Sequence, residues 1–142
     1  MNILRSIVLF LSALASFSGG HSALLAQSIQ VRVLDAKNGA RVPNEKVSVL
    51  IKGEKGARDY TTDSDGNFSL QVDPSAFIYV ATEWRVTCRC ITPGVVPFVP
   101  VATILQEGFT NDNTCGRAKS ETVKGRLIIF ARKSSLFENF KR

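Results

Sequence analysis

The stretch Thr61-Thr62-Asp63-Ser64-Asp65-Gly66-Asn67-Phe68-Ser69-Leu70 has an acidic centre that suits either a calcium loop or a turn between strands, and these two interpretations predict different folds. A helix-flanked calcium loop needs a glycine at its sixth position and a glutamate at its twelfth. Counted from Asp63, the glycine stands at the fourth position and the twelfth residue is Pro74. Asp, Asn and Gly are also the residues that tight turns require. The stretch therefore predicts a structural turn and no metal site, with the turn formed by Asp63, Asp65, Gly66 and Asn67.

Strand-like segments lie on both sides of this turn. In residues 67–72 the apolar Phe68, Leu70 and Val72 alternate with polar residues, as in a half-buried strand. Similar segments, separated by Gly, Asn and Pro turns, are residues 29–34, 46–52, 58–62, 77–91 and 126–132. This spacing predicts an all-β protein, an antiparallel sandwich of two sheets. The predicted core comprises Val49, Phe68, Leu70, Val80, Trp84, Val86, Leu127 and Ile129.

Residues 77–91 are predicted to form one long strand, or two strands in line. The even positions are mostly apolar, and the odd positions from Glu83 to Arg89 are polar or charged. We therefore expect the even positions to face the core. Trp84 is then the largest core side chain rather than an exposed platform for a carbohydrate.

The stretch between the last two predicted strands is irregular and begins with Pro93, Pro97 and Pro100. Within it, residues 101–106 predict one or two helical turns that end at Gly108. Long loops in compact domains are either functional or fixed to the rest of the fold. The stretch also contains Cys115, so we expect a fixed loop.

The first half of the chain resembles a known family. Residues 31–35, Gly39, residues 42–44, residues 47–49 and residues 62–68 follow the opening pattern of the carboxypeptidase regulatory-like and collagen-adhesin B-type repeats. The resemblance covers residues 29–72. It implies a seven-strand, immunoglobulin-like sandwich of the transthyretin-like (prealbumin-like) type, and it implies almost nothing about function.

The second half resembles small exported bacterial proteins that have this sandwich and no assigned activity. The resemblance lies in residues 99–108, 113–118 and 125–132, followed by an aromatic and basic tail. It implies a stand-alone domain over residues 27–133 with a tail over residues 134–142. The tail has apolar residues at a spacing compatible with a short C-terminal helix. Its Phe137, Phe140, Lys141 and Arg142 are a candidate surface patch for a partner or for weak contact with a membrane surface.

Residues 1–26 have the pattern of a secretory signal peptide. Arg5 precedes a short apolar core of about 11 residues, which is less than the roughly 20 that span a bilayer, and small residues follow it. We expect cleavage after Ala26, with an uncleaved anchor as the alternative. The expected location is secreted or periplasmic, with no transmembrane span after cleavage. Removing Arg5 lowers the formal net charge from +6 to +5.

Histidine is missing from the predicted mature chain, since the single histidine is His21. This excludes Ser-His-Asp and Cys-His catalysis and every zinc site that needs an imidazole. The hydroxyisourate hydrolases share the transthyretin-like fold but need histidines, so their activity is not implied here. We predict a protein that is not an enzyme, without catalytic residues and without cofactors.

Three cysteines in an oxidising compartment predict one disulfide and one remaining thiol. Cys88 and Cys90 lie on the same face of the predicted strand, and Cys115 lies in the long loop. Cys90–Cys115 is the preferred pairing because Cys90 is nearer to the loop, and Cys88–Cys115 is the alternative. A Cys88–Cys90 bond, or a redox site, is a third hypothesis.

The leading hypothesis is an exported β-sandwich with a binding or structural role in the bacterial envelope or exterior. The alternatives are an accessory domain of a peptide- or glycan-processing system and a thiol-redox protein that uses Cys88 and Cys90. The basic residues are spread along the chain without interleaved aromatics, which does not favour nucleic acid as a partner. The expected partner is a protein or polymer of the cell envelope.

Overall fold

The computed structural model describes residues 25–83, 85–88 and 97–134. This part of the chain has nine strands and one helix. They are β1 (Gln27–Asp35), β2 (Lys46–Ile51), β3 (Ala57–Thr61), β4 (Asn67–Val72), β5 (Phe77–Thr82), β6 (Arg85–Cys88), β7 (Val99–Pro100), α1 (Val101–Gln106), β8 (Phe109–Thr110) and β9 (Arg126–Lys133). The predicted signal peptide, except for its last two residues, and the predicted C-terminal tail, except for Ser134, lie outside the described residues.

The strands form two packed sheets. Sheet A has the order β4-β1-β9-β6, and β8 also pairs with β9. Sheet B has the order β3-β2-β5-β7. The prediction of an all-β protein with two packed sheets is confirmed.

The prediction of purely antiparallel sheets is wrong for the centre of sheet A. Strands β1 and β9 are parallel, with Val31 opposite Leu127, and the short β8 is also parallel to β9. The cause is the segment before β9, which returns the chain to the end of the sandwich where β1 begins. There the Gln30 amide donates a hydrogen bond to the Gly125 carbonyl at 3.0 Å.

The main core lies between the inner faces of the two sheets. Because successive side chains of a strand point to opposite faces, every second residue of the long strands is buried there. Six of the predicted core residues are buried in this cluster: Val49, Phe68, Leu70, Val80, Leu127 and Ile129. Trp84 lies outside the described residues, and Val86 is only half-buried.

Val86 departs from the prediction because the chain changes sheets between Thr82 and Arg85. Strand β5 belongs to sheet B and β6 to sheet A. At this corner the Thr82 hydroxyl donates to the Arg85 carbonyl at 2.8 Å, and Thr87 Oγ1 accepts from the Thr82 amide at 3.0 Å. The alternation of core-facing and outward-facing residues in β5 is therefore not continued in β6. Val86 pairs with Arg132 on the outer face of sheet A.

The predicted helix is present as α1, which buries Val101 and Ile104. It ends at Gln106, two residues before Gly108. The φ of Gly108, 82°, is in the left-handed region, and a Cβ on Gly108 would overlap the Val123 backbone. Within the described residues, no helix is long and apolar enough to cross a membrane.

Candidate binding surfaces

The disulfide joins Cys88, at the end of β6, to Cys115 in the segment before β9, with 5.5 Å between the Cα atoms. The preferred prediction of a Cys90–Cys115 bond is therefore wrong, and the alternative pairing is the one present. Cys88 lies opposite Phe130 of β9, and its side chain is on the outer face of sheet A. This face is where the Cys115 segment lies, so Cys88 is within reach. Cys90 itself is outside the described residues.

The segment fixed by this bond, residues 111–125, covers part of the outer face of sheet A. We call it the pinned segment. It helps to bury a second, smaller apolar cluster, whose members are Leu34, Ala36, Cys88, Ile128 and Phe130, with Cys115 and Ala118 packed against them. The long loop therefore covers apolar side chains on the outer face of sheet A, which alternate along the strands with side chains of the main core.

Two asparagines attach the pinned segment to the strands. The Asn111 side chain donates to the Cys88 carbonyl at 2.6 Å and accepts from the Phe130 amide at 2.9 Å. The Asn113 side chain donates to the Ala36 carbonyl at 2.7 Å. These amides supply hydrogen bonds to partly buried backbone groups of Cys88, Phe130 and Ala36. Neither residue was recognised from the sequence, although side-chain amides that replace strand hydrogen bonds are a common reason for Asn in such loops.

Residues 63–67 form a tight turn between β3 and β4. Asp63 Oδ1 accepts hydrogen bonds from the amides of Asp65 and Asn67, each at 2.9 Å. Asp65 forms an exposed ion pair with Arg41 at 2.6 Å. Gly66 has a φ of 74°, which only glycine adopts without strain. The carboxylates are thus occupied by protein donors, and the arrangement is that of a self-capped turn.

The outer face of sheet B differs from that of sheet A because it exposes apolar side chains. We call the surface formed by Leu50, Phe77, Tyr79 and Phe98 the aromatic face. The strand register places Leu50 opposite Tyr79, and the Tyr79 and Phe98 rings are 6.2 Å apart. Leu50 and Phe77 are 38% and 43% exposed. Lys52 Nζ lies 5.6 Å from the centre of the Phe77 ring.

The aromatic face was not recognised from the sequence. In the second half of residues 77–91, charged residues at odd positions (Glu83, Arg85 and Arg89) indicate that the odd side faces solvent. In the first half these positions are Phe77, Tyr79 and Ala81, which are apolar or aromatic. That change of character within one predicted strand is the signal that could have revealed the face.

A small cleft opens between the two sheets beside β7 and β8. Its volume is about 200 Å³, and it is lined mainly by core side chains such as Ile78, Val80 and Ile129. Ligand sites for drug-sized molecules are usually larger, roughly 300–1,000 Å³. Asp112 is the single ionisable side chain of its described lining. The cleft has room for a small apolar group, and its described lining has no acid–base pair.

The remaining predicted site residues lie outside the described residues. They are Cys90 and the tail patch of Phe137, Phe140, Lys141 and Arg142. In the part of the chain that is described, no group of three or more His, Cys, Asp or Glu side chains has the arrangement of a metal site.

Comparison with known proteins finds no similar one: no family model, no curated protein and no solved structure matches this chain.

Proposed function

We propose that the protein is an exported, non-enzymatic binding module of the cell envelope or exterior, built on a transthyretin-like, immunoglobulin-like sandwich. The strand arrangement supports the fold assignment. Seven of the described strands have four residues or more, four of them in sheet A and three in sheet B. The resemblance of residues 29–72 to the carboxypeptidase regulatory-like and collagen-adhesin B-type repeats points to the same architecture.

Two observations support export to a secreted or periplasmic location. Strand β1 begins at Gln27, directly after the predicted cleavage position at Ala26. The Cys88–Cys115 bond is of a kind that persists in oxidising compartments. The same bond occupies Cys88, so a redox pair of Cys88 and Cys90 is not part of this proposal.

Export is tested by expressing the full chain in a bacterium and measuring the mass of the protein recovered from the periplasm or medium. We expect a mature form that begins at Gln27. A full-length product that stays with the cytoplasmic fraction would contradict export.

The observation that carries the binding role is the difference between the two outer faces. The apolar part of the outer face of sheet A is covered by the pinned segment, whereas the aromatic face of sheet B remains open to solvent. Contiguous exposed apolar patches on a folded protein are typical of interaction sites. Aromatic residues are enriched at the centres of protein–protein interfaces, so a protein partner fits this face best.

The positive charge of Lys52 indicates that the partner has an acidic residue. Its ammonium group lies over the Phe77 ring at the edge of the aromatic face. A partner that inserts apolar side chains between Phe77 and Leu50 and places a carboxylate near Lys52 would use both features. We therefore propose a protein partner with an apolar anchor beside an acidic residue.

The binding role is tested by placing a photo-crosslinking amino acid at Phe77 and, in a second protein, at Val123. Val123 is a matched control because it is 40% exposed but belongs to the pinned segment on the other sheet. We expect a discrete adduct with one envelope protein at Phe77 and none at Val123. The complex should re-form from the two purified proteins, and Leu50→Ser should weaken it at least tenfold, whereas Val123→Ser should not.

Two outcomes would contradict this proposal. Identical adducts at both positions would mean that contact is not specific to the aromatic face. Sedimentation with insoluble envelope glycan that depends on Phe77, without any protein adduct, would replace the protein partner with a glycan.

A further inference from the structure

The end of sheet A's outer face where β1 and β9 begin has a different character from the part that contains the apolar cluster. In the β1–β9 pair, Gln30 lies opposite Arg126 and Arg32 lies opposite Ile128. Val31 and Leu127 point into the main core, so Arg32 and Arg126 both point outward. The register therefore makes the two arginines diagonal neighbours on one face, a distance that long side chains can bridge.

The two guanidinium groups have few partners. Arg32 Nε donates to Asn67 Oδ1 at 2.7 Å, but its terminal amino groups have no acceptor among the described residues. Arg126 Nε is buried and has no hydrogen-bond partner in the described part of the chain. Buried polar groups are nearly always hydrogen-bonded, so an unpaired donor calls for an explanation such as a bound ion.

Neither arginine has a carboxylate partner within the described residues, in contrast to Arg41, Arg58 and Arg85, which all form ion pairs. The pKa of Arg32 is lowered from its ordinary value, first by partial burial and then by the positive charges of Arg126 and Arg41. The nearby carboxylates of Asp65 and Asp63 act in the opposite direction but more weakly. An anion between Arg32 and Arg126 would remove the repulsion and supply an acceptor.

We propose that Arg32 and Arg126 form a binding site for a tetrahedral oxyanion, a phosphate group. The planar guanidinium group presents paired donors that match the oxygens of phosphate. A doubly charged phosphate can neutralise both arginines, whereas a single carboxylate neutralises one. The site lies on the opposite sheet from the aromatic face, so this inference does not depend on the proposed protein partner.

The site is tested by following the Nε–Hε resonances of the arginines by NMR during titration with inorganic phosphate at constant ionic strength. We expect saturable shifts at Arg126 and Arg32. Arg41 and Arg58 serve as internal controls, because each already donates to a carboxylate. Shifts that do not saturate, or that are equal at all four arginines, would overturn the site.

Variants separate binding from a structural role. Arg126→Gln should abolish the saturable shift at Arg32, and Arg126→Lys, which keeps the charge but loses the paired donors, should weaken binding several-fold. Arg58→Gln removes the same charge elsewhere and should leave phosphate binding unchanged. Phosphate should raise the melting temperature of the parent and of Arg58→Gln but not that of Arg126→Gln. If phosphate raises all three equally, Arg126 does not bind it.

The source of the phosphate group is distinguished with vesicles. Co-sedimentation with vesicles that contain phosphatidic acid, whose phosphomonoester headgroup can carry two charges, would assign the site to lipid headgroups if it is lost in Arg126→Gln. Saturable binding of inorganic phosphate without vesicle binding would assign it to a soluble phosphate. The absence of both would overturn the proposal.

Discussion

Gly66 lies at a point where backbone conformation and packing both exclude a side chain. Its φ is 74°, and a Cβ placed on it would lie 2.9 Å from the Val33 carbonyl oxygen and 2.9 Å from the Val42 amide nitrogen. The Gly66 carbonyl also accepts a hydrogen bond from the Val33 amide at 2.8 Å. The turn therefore connects β3 to β4 and also packs against β1.

Comparing substitutions at Gly66 and Gly53 separates the effect of backbone conformation from the effect of close packing. Gly53 also has a positive φ, of 92°, but a Cβ placed on it would have no other atom within 4 Å. A left-handed conformation costs a non-glycine residue about 1–2 kcal/mol. We expect Gly53→Ala to lower the free energy of unfolding by about that amount and Gly66→Ala by clearly more, as measured by urea denaturation. Equal losses would mean that the close contacts relax without cost.

The turn was predictable from the sequence because its requirements are local. Asp63 caps amides two and four residues further along the chain, and Gly66 supplies the positive φ within the same five residues. The neighbouring positions of Arg32 and Arg126 were not predictable in this way. They depend on the register between β1 and β9, which no short pattern encodes.

At the scale of elements, β5 and β6 show what the alternation of apolar and polar residues cannot predict. The period of two tells which residues share a face of one strand, but it does not tell which sheet that strand joins. Since β5 and β6 belong to different sheets, the even positions Ile78 and Cys88 lie in different apolar clusters. Cys88 and Cys90 have the same parity, so the pattern could not choose between them. The choice depends on where the pinned segment crosses the sheet.

The disulfide is expected to stabilise the pinned segment and the apolar cluster beneath it. For a sequence separation of 27 residues, the chain-entropy model gives about 3.5 kcal/mol. Cys115→Ser should lower the free energy of unfolding by roughly that amount and increase hydrogen exchange in residues 111–125. The strands of sheet B should keep their protection, because their core side chains belong to the other cluster.

Cys90→Ser is the matched control for this prediction. It removes one thiol but should leave the Cys88–Cys115 cross-link, which peptide mapping under non-reducing conditions would detect. If Cys90→Ser destabilised the protein as much as Cys115→Ser does, the bond between Cys88 and Cys115 would not be the one that stabilises the segment.

For the whole molecule, the position of β9 is the decisive feature. It is the last described strand in the chain but lies in the middle of sheet A, between β1 on one side and β6 and β8 on the other. Its inward residues complete the main core, and its outward residues, Ile128 and Phe130, complete the smaller cluster. The pattern of residues 126–132 predicted a nearly apolar strand, and β9 confirms it. Its central, parallel position was not predictable, because it results from where the pinned segment returns the chain.

This position predicts that the fold is complete only when β9 is present. Leu127, Ile128, Ile129 and Phe130 are all nearly fully buried. At about 1.5–3 kcal/mol for each buried side chain, they contribute roughly 6–12 kcal/mol, which is comparable to the total stability of a small domain. A chain of residues 27–124 should therefore show no cooperative thermal transition by circular dichroism, whereas residues 27–134 should show one.

A synthetic peptide of residues 125–134 should restore the transition when it is added to the shorter chain, because it supplies the missing strand. A cooperative transition in residues 27–124 alone would show that sheet B and the rest of sheet A form a stable core without β9.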